Sequence, residues 1–402
     1  MELFNYFLSD LPGAPQLQRQ PGSLIEVLDA ALVTGLGLTV VNQISAAAGV
    51  VTIKVTGAPV ALPQGLIELA GVGGALAGLN GVHRVQEVGA DTITIHATVA
   101  DAQSTAAGMT VRIPPLGWRK KFADGALAVY DSEHPQWFGH CLQVDTSQAT
   151  SGVPAKWRGY HSMSDAHTGD RPFPAFGQAD ELRLPLVLSG GVSRWCVWGD
   201  GVFFAIGIQT YQGAPRGNLS WSYFGRLDAV TAGDSACALR TGGAQGAMAY
   251  SKDFWWLVMS DGFVGHDTPS LGSPRAGFMD AGGVSGAKSW LGIAGEDVPS
   301  GLVMDVPLGV VSPHTLSWSG GSVGSSNTWV FRGVLPGVRY IPHIIDRGRG
   351  VVPRFLFEPF QVVRSAGRAL LFLPQNGNSS HVDSGSSYYG FFVDITGWRA
   401  GL

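Results

Sequence analysis

Val50-Val51-Thr52-Ile53-Lys54-Val55, Ile67-Glu68-Leu69, Val82-His83-Arg84-Val85 and Thr92-Ile93-Thr94-Ile95 follow one another along the chain, separated by turns that carry Gly or Pro. Apolar residues recur in them with a period of two, the pattern of half-buried strands. Short strands at this spacing predict a small β-barrel or sandwich from about Thr39 to Ile113, where Pro114-Pro115 breaks the pattern. Gly35-Leu36-Gly37 on one side and Gly117-Trp118 on the other read as loop-like joints. Residues 39–113 are therefore expected to form a self-contained β-module inserted into another domain.

Upstream, the reading changes from strand to helix. Ser23-Leu24-Ile25-Glu26 has the form of a capping box, Leu24, Leu28, Ala31 and Leu32 recur at helical spacing, and Gly35 stands where a left-handed C-terminal cap belongs. Gly22 to Thr34 is expected to be an amphipathic helix docked on something apolar. Its stripe of Leu24, Leu28, Ala31 and Leu32 is a candidate assembly surface. Before it, Pro12, Pro15 and Pro21, interspersed with Gln16, Gln18 and Gln20, exclude regular helix and predict an extended arm. An arm so polar and proline-rich is expected to order only against partners.

Downstream of Trp118 the chain continues as short strands with turn signals. Trp195-Cys196-Val197-Trp198-Gly199-Asp200-Gly201-Val202-Phe203-Phe204 reads as an aromatic hairpin around an Asp-Gly turn, and Trp255-Trp256-Leu257-Val258-Met259-Ser260-Asp261-Gly262-Phe263-Val264 repeats the device. The twelve Trp residues are spread along the β-rich part and read as large side chains packed between sheets, with a sugar-stacking platform as the alternative. Gln375 to Ser387, rich in Asn, Ser and Gly, predicts a long exposed loop. The expected fold is mainly β, built of sandwich and barrel modules with one N-terminal amphipathic helix. Its divisions are an arm and helix at 1–38, the inserted barrel-like module at 39–113, a β-rich domain at 114–265 and a β-rich C-terminal domain at 266–402. The last two are open to being one domain.

Composition narrows the function classes. Charged residues are 14% of the 402, well below the roughly 25% of average globular proteins, and Gly reaches 57. Lys and Arg number 26 against 30 Asp and Glu, a net charge of -4 without blocks of like charge, so no electrostatic footprint for nucleic acid exists. Glu2 and Asp10 near the start, with no basic segment, disfavour a cleavable export signal. The longest uncharged stretch near the start, Asp29 to Lys54, is interrupted by Gly35, Gly37, Asn42, Gln43, Ser45 and Gly49, so membrane insertion is not expected. Cys141, Cys196 and Cys237 are odd in number and widely spaced, which predicts packed small hydrophobes rather than a disulfide or zinc framework.

Motifs for chemistry are weak. Gly320-Gly321-Ser322-Val323-Gly324 matches the string of a nucleophile elbow, yet a turn and a strand follow it where that motif requires a helix. Gly286-Ala287-Lys288-Ser289 lacks the glycine spacing of a phosphate loop. His161, Asp165, His167 and Asp170 are the densest set of metal-ligand types, but they fit neither an EF-hand nor a helical His pair and read as a polar loop with local hydrogen bonds. The pairs Asp131/Glu133 and Asp180/Glu181 carry no special context. The sequons at Asn218 and Asn378 matter only in a glycosylating pathway. No catalytic, cofactor or metal residues are assigned, and the chain is expected not to be an enzyme.

Four segments together resemble a family of virion structural proteins of tailed bacteriophages and related prophages. They are Leu11-Pro12-Gly13-Ala14-Pro15, the helix from Gly22 to Gly35, Gly117-Trp118-Arg119-Lys120-Lys121-Phe122, and Phe331-Arg332-Gly333-Val334-Leu335-Pro336-Gly337. The 39–113 module is similar to small β-barrels of phage tail-tip proteins. The resemblance implies a non-enzymatic part of a tail tip or baseplate, assembled in the host cytoplasm with other tail proteins. It further implies a homotrimer or hexameric ring, with the arm and helix anchoring the subunit and distal β-loops facing outward. The competing reading is a receptor-binding tail protein that recognises a host cell-surface polymer. Its expected contact loop carries Asn376, Asn378, His381, Asp383, Tyr388 and Tyr389, with Phe391 and Phe392 adjoining.

Overall fold

A computed structural model of the chain describes residues 4–149, 153–173, 182–184, 190–209, 219–228, 237–240, 270–272, 285–286, 306–313, 329–340, 358–365, 367–375, 389–396 and 398–399. The period-two segments form strands β2 (Leu36–Ala47), β3 (Val50–Val55), β4 (Leu66–Ala70), β5 (Gly81–Val88), β6 (Thr92–His96), β7 (Ala102–Ser104) and β8 (Thr110–Ile113), which follow β1 (Asn5–Leu8). The first half of β2 pairs with β8 and the second half with β3, so the order β3-β6-β5-β4-β8-β2 returns on itself as a closed six-stranded barrel with β7 added on β2. Closure removes the exposed strand edges that an open sheet of this size would carry. Ile44, Val51, Ile53, Ile67, Val85, Ile93 and Ile95, all fully buried, fill its interior. Among the described residues, every buried member of that core falls between Val41 and Val111. The barrel starts slightly earlier than the pattern indicates, at Leu36, which pairs with Ile113 and brings entry and exit side by side. A 3-10 turn, Gly74–Leu79, inserts Leu76 and Leu79 into the same core; its Gly-Ala-Leu sequence carries no period that would reveal it.

After the barrel, β9 (Trp118–Asp124), β10 (Leu127–Ser132), β11 (Cys141–Asp145), β12 (Lys156–Met163), β13 (Gly169–Phe173) and β14 (Leu182–Arg183) form one antiparallel sheet. A second contains β15 (Trp195–Gly199), β16 (Phe203–Gln209), β17 (Leu219–Arg226), β18 (Cys237–Arg240), β19 (Ser270–Gly272) and β20 (Ser285–Gly286), with β1 as its far edge. A third contains β21 (Val306–Pro313), β22 (Trp329–Tyr340), β23 (Val362–Ser365), β24 (Arg368–Gln375) and β25 (Tyr389–Asp394).

The middle sheet is buried on both faces. Along β15, Trp195 and Val197 enter one core while Cys196 and Trp198 enter another, and on β16 Phe204, Ile206 and Ile208 oppose Phe203 and Ala205 in the same way. The first core closes against Trp118, Tyr130, Leu142, Val144, Trp157 and Phe173 of the β9–β14 sheet. The second closes against Leu335, Val338, Leu371, Leu373 and Val393 of the β21–β25 sheet. This sandwiching explains the unbroken apolar run of the hairpin, since a strand covered on both sides has no polar face to alternate. The hairpin expected at Trp255 to Val264 lies outside the described residues.

The arm and helix differ from expectation in three respects. The arm orders against its own chain: β1 pairs with β15, Leu17 is fully buried and bridges Ser193, and the Trp195 indole donates to the Pro15 carbonyl at 2.9 Å. Its apolar residues Phe4, Tyr6, Phe7 and Leu17 supply burial that its proline and glutamine content masks. No capping box forms, because α1 (Ser23–Leu28) starts after a left-handed Gly22, while the Ser23 hydroxyl donates to Gln16 O and accepts from Gln18 N–H, tying the arm instead. The helix continues as a π-helical segment, Asp29–Thr34, and ends at Gly35 with φ 76° and ψ -178° rather than in a left-handed cap. That backbone region is essentially restricted to glycine, and a Cβ here would press on the Ile113 carbonyl.

Candidate functional site

The β15–β16 turn gathers chain segments that lie far apart in sequence. Asp200 Oδ1 accepts from the N–H groups of Val202 and Phe203, both at 2.8 Å, which fixes the turn. Its backbone carbonyl accepts from the Trp118 indole at 2.8 Å. Its other carboxylate oxygen accepts from the Trp398 indole at 2.5 Å and from Arg399 Nε at 2.6 Å. Arg399 also pairs with Asp228 and donates to the Arg226 carbonyl at 3.3 Å. Burial raises the Asp228 carboxyl above its usual range, and Arg399 opposes that shift. The Arg399 and Asp200 side chains are only 8% and 2% exposed, so the pair stands on full hydrogen bonding rather than on solvent.

Trp398 in turn lies over Gly337, whose φ is 63° and whose missing Cβ leaves the space that the indole fills. Leu116 N–H donates to Ala31 O at 2.9 Å, joining the end of the helix to the segment before Trp118. Trp118 thus bonds to the Asp200 turn directly, Gly337 lies against the Trp398 that Asp200 holds, and the helix is tied to Leu116, two residues before Trp118. The arm connects the barrel to this assembly: Asn5 donates to Pro114 O at 3.1 Å and accepts from Leu66 N–H at 3.0 Å, and the Tyr6 hydroxyl donates to Pro63 O at 2.7 Å. Burial drives the Tyr6 pKa far above its ordinary value and also lowers that of Arg84.

The apolar helix stripe takes a different place from the one its assembly reading requires. Leu24, Leu28, Ala31 and Leu32 are buried in this chain's own core, and Glu26 is the one exposed residue of α1. A stripe covered by its own chain is not available to a neighbour. Of the expected contact loop, Asn376, Asn378, His381, Asp383 and Tyr388 lie outside the described residues, and Tyr389 opens β25 opposite Gln375. Phe392 is a core residue, its ring 5.3 Å from that of Phe372. Ser322, Lys288, Asn218 and the pair Asp180/Glu181 also lie outside the described residues.

The ligand-type residues of the 161–170 segment are engaged singly. Asp165 accepts from the N–H groups of His167 and Thr168, bonds that lower its pKa; His167 reaches Asp124 at 2.9 Å; Asp170 pairs with Arg171. Among the described residues no three His, Cys, Asp or Glu side chains gather as a metal set. Asp131 and Glu133 are both held by Arg119. Cys141, Cys196 and Cys237 are buried and form no disulfide, as small apolar residues would be. No helix among the described residues is long and apolar enough to cross a membrane.

A second feature escaped the sequence reading. Between β10 and β11, residues 133–140 fold over the first core, with Trp137 packed on Trp118 and Phe224 at 5.0 and 5.6 Å between ring centroids. His140 ends this loop, 5% exposed, with its ring 5.1 Å from that of His161 and its Nδ1 unpartnered. Phe138 of the same loop is 52% exposed beside the Arg226 guanidinium. Neither a protein-family model nor a curated protein sequence matches the chain.

Proposed function

We propose that the chain is a non-enzymatic structural component of a bacteriophage tail tip or baseplate, assembling with other tail proteins as a homotrimer or hexameric ring. The observation that carries this reading is the convergence on Asp200. Of the parts that resemble virion proteins, the Gly117-Trp118 segment bonds to this buried turn, the Leu335-Pro336-Gly337 segment reaches it through Trp398, and the helix is tied to Leu116 just before Trp118. A resemblance spread over such mutually dependent segments concerns an architecture rather than isolated strings. The burial of the helix stripe moves the anchoring role to other surfaces, among which Leu38 and Val40, 71% and 63% exposed on the outer wall of β2, are apolar.

Gold-labelled antibody against the chain, applied to purified particles of the source phage, tests the reading. Label at the distal end of the tail supports it, and a chain found only free in the lysate overturns it. The alternative, binding of a host cell-surface polymer, draws on the exposed Phe138 ring beside Arg226, a surface on which a sugar can stack. Loss of cell binding in Phe138→Ala, with particle incorporation intact, would favour that alternative.

A further inference from the structure

From the packing of the 133–140 loop we infer that His140 and His161 form an acid-sensitive latch, whose protonation releases the loop and uncovers the aromatic surface beneath Trp137. The loop is held at both ends. At its start, Ser132 Oγ donates to Gly201 O at 2.5 Å and accepts from His134 N–H at 3.0 Å. At its end, the His140 ring packs among His161, Phe173 and Trp137 at 5.1, 5.8 and 6.0 Å, and the His140 carbonyl accepts from the Trp137 indole at 3.0 Å. The residue whose imidazole sits in this aromatic box thus also holds, through its carbonyl, the indole that covers Trp118 and Phe224.

A proton taken from solvent onto the unpartnered Nδ1 places a charge in that box with no acceptor waiting for it. The elements packed around it offer little relief. β12 contributes His161, a second imidazole and no carboxylate; β13 contributes the neutral Phe173, with Arg171 paired to Asp170; β17 contributes Arg226, a fixed cation over Phe138. Within the loop, His134 accepts from Gln136 N–H, and Glu133 is paired with Arg119. Burial, reinforced by His161, lowers the His140 pKa from 6.5 to about 4. A released His140 regains its ordinary value. Opening therefore becomes more favourable as pH falls through 6.5 and gains nothing further below the closed-state value. Linkage gives a rise in the open population of about thirtyfold between about pH 7.5 and about pH 5.

Amide hydrogen exchange on the full chain, corrected for intrinsic rates, measures that rise. Protection over 134–140 should fall about thirtyfold across this interval, while protection in the 36–113 barrel is unchanged. His140→Phe, which keeps the ring and removes the titration, should abolish the change. The half-buried His161→Gln should lessen it and serves as the test should the first variant misfold. An unchanged loop protection, an equal fall in the barrel, or the same fall in both variants would overturn the latch.

Discussion

The Trp118 indole donates to the backbone carbonyl of Asp200, 82 positions away, at 2.8 Å. The same residue's carboxylate holds Trp398 and Arg399. Asp200 thus joins the strand that follows the barrel to the last described segment of the chain, through a turn whose own backbone it also fixes.

Asp200→Asn tests the charge of that junction. The amide oxygen can still accept from the turn N–H groups, but Arg399 loses the Asp200 carboxylate while keeping that of Asp228. Breaking one partner of a buried pair should lower unfolding free energy by about 3 kcal/mol, measured by urea denaturation. A change below about 1 kcal/mol, the scale of an exposed pair, would show that the junction is peripheral.

Gly337 and Trp398 should behave as one unit. Gly337→Ala introduces a Cβ where the indole ring lies, at a φ of 63° that disfavours alanine. It should destabilise by about 2 to 3 kcal/mol, and the double variant with Trp398→Ala should recover part of that loss as a coupling term. Strict additivity in denaturation would contradict the contact.

How much of this was legible depends on whether the cause is local. Val50 to Val55 and Thr92 to Ile95 announce their strands because one face of each meets the barrel core and the other does not. Trp195 to Phe204 announces a hairpin but not its place: the alternation of Trp195 and Trp198 between two cores is invisible when both faces are apolar. Ser23 has the right neighbours for a cap and is used instead to hold Gln16 and Gln18. Asp200 was readable as a turn residue, but Trp398 and Arg399 form no local motif that points back to it, and His140 stands alone in sequence from His161.

The barrel should fold by itself. Among the described residues its buried core draws only on those between Val41 and Val111, and its entry and exit strands are paired. A fragment spanning 36–113 should show β-type circular dichroism and a cooperative urea transition. Ile53→Ala in that fragment should cost about 3 kcal/mol, as for other large-to-small core changes. A fragment without a cooperative transition would make the barrel dependent on the layers beside it.

Asn5→Ala should separate the barrel's stability from its attachment. It removes the acceptor of Leu66 N–H and the donor to Pro114 O, leaving buried polar groups unpaired at a cost of about 2 kcal/mol. The loss should appear in the full chain and in the proteolytic susceptibility of the arm. Unaltered full-chain stability and cleavage would contradict this role of the arm.

Cryo-electron microscopy of the purified particle from the source phage tests the central claim most directly. The account predicts density for this chain at the tail end in a three- or six-fold arrangement, with α1 enclosed by its own subunit and other surfaces meeting the neighbours. A particle whose tail end is fully traced by other chains would contradict it.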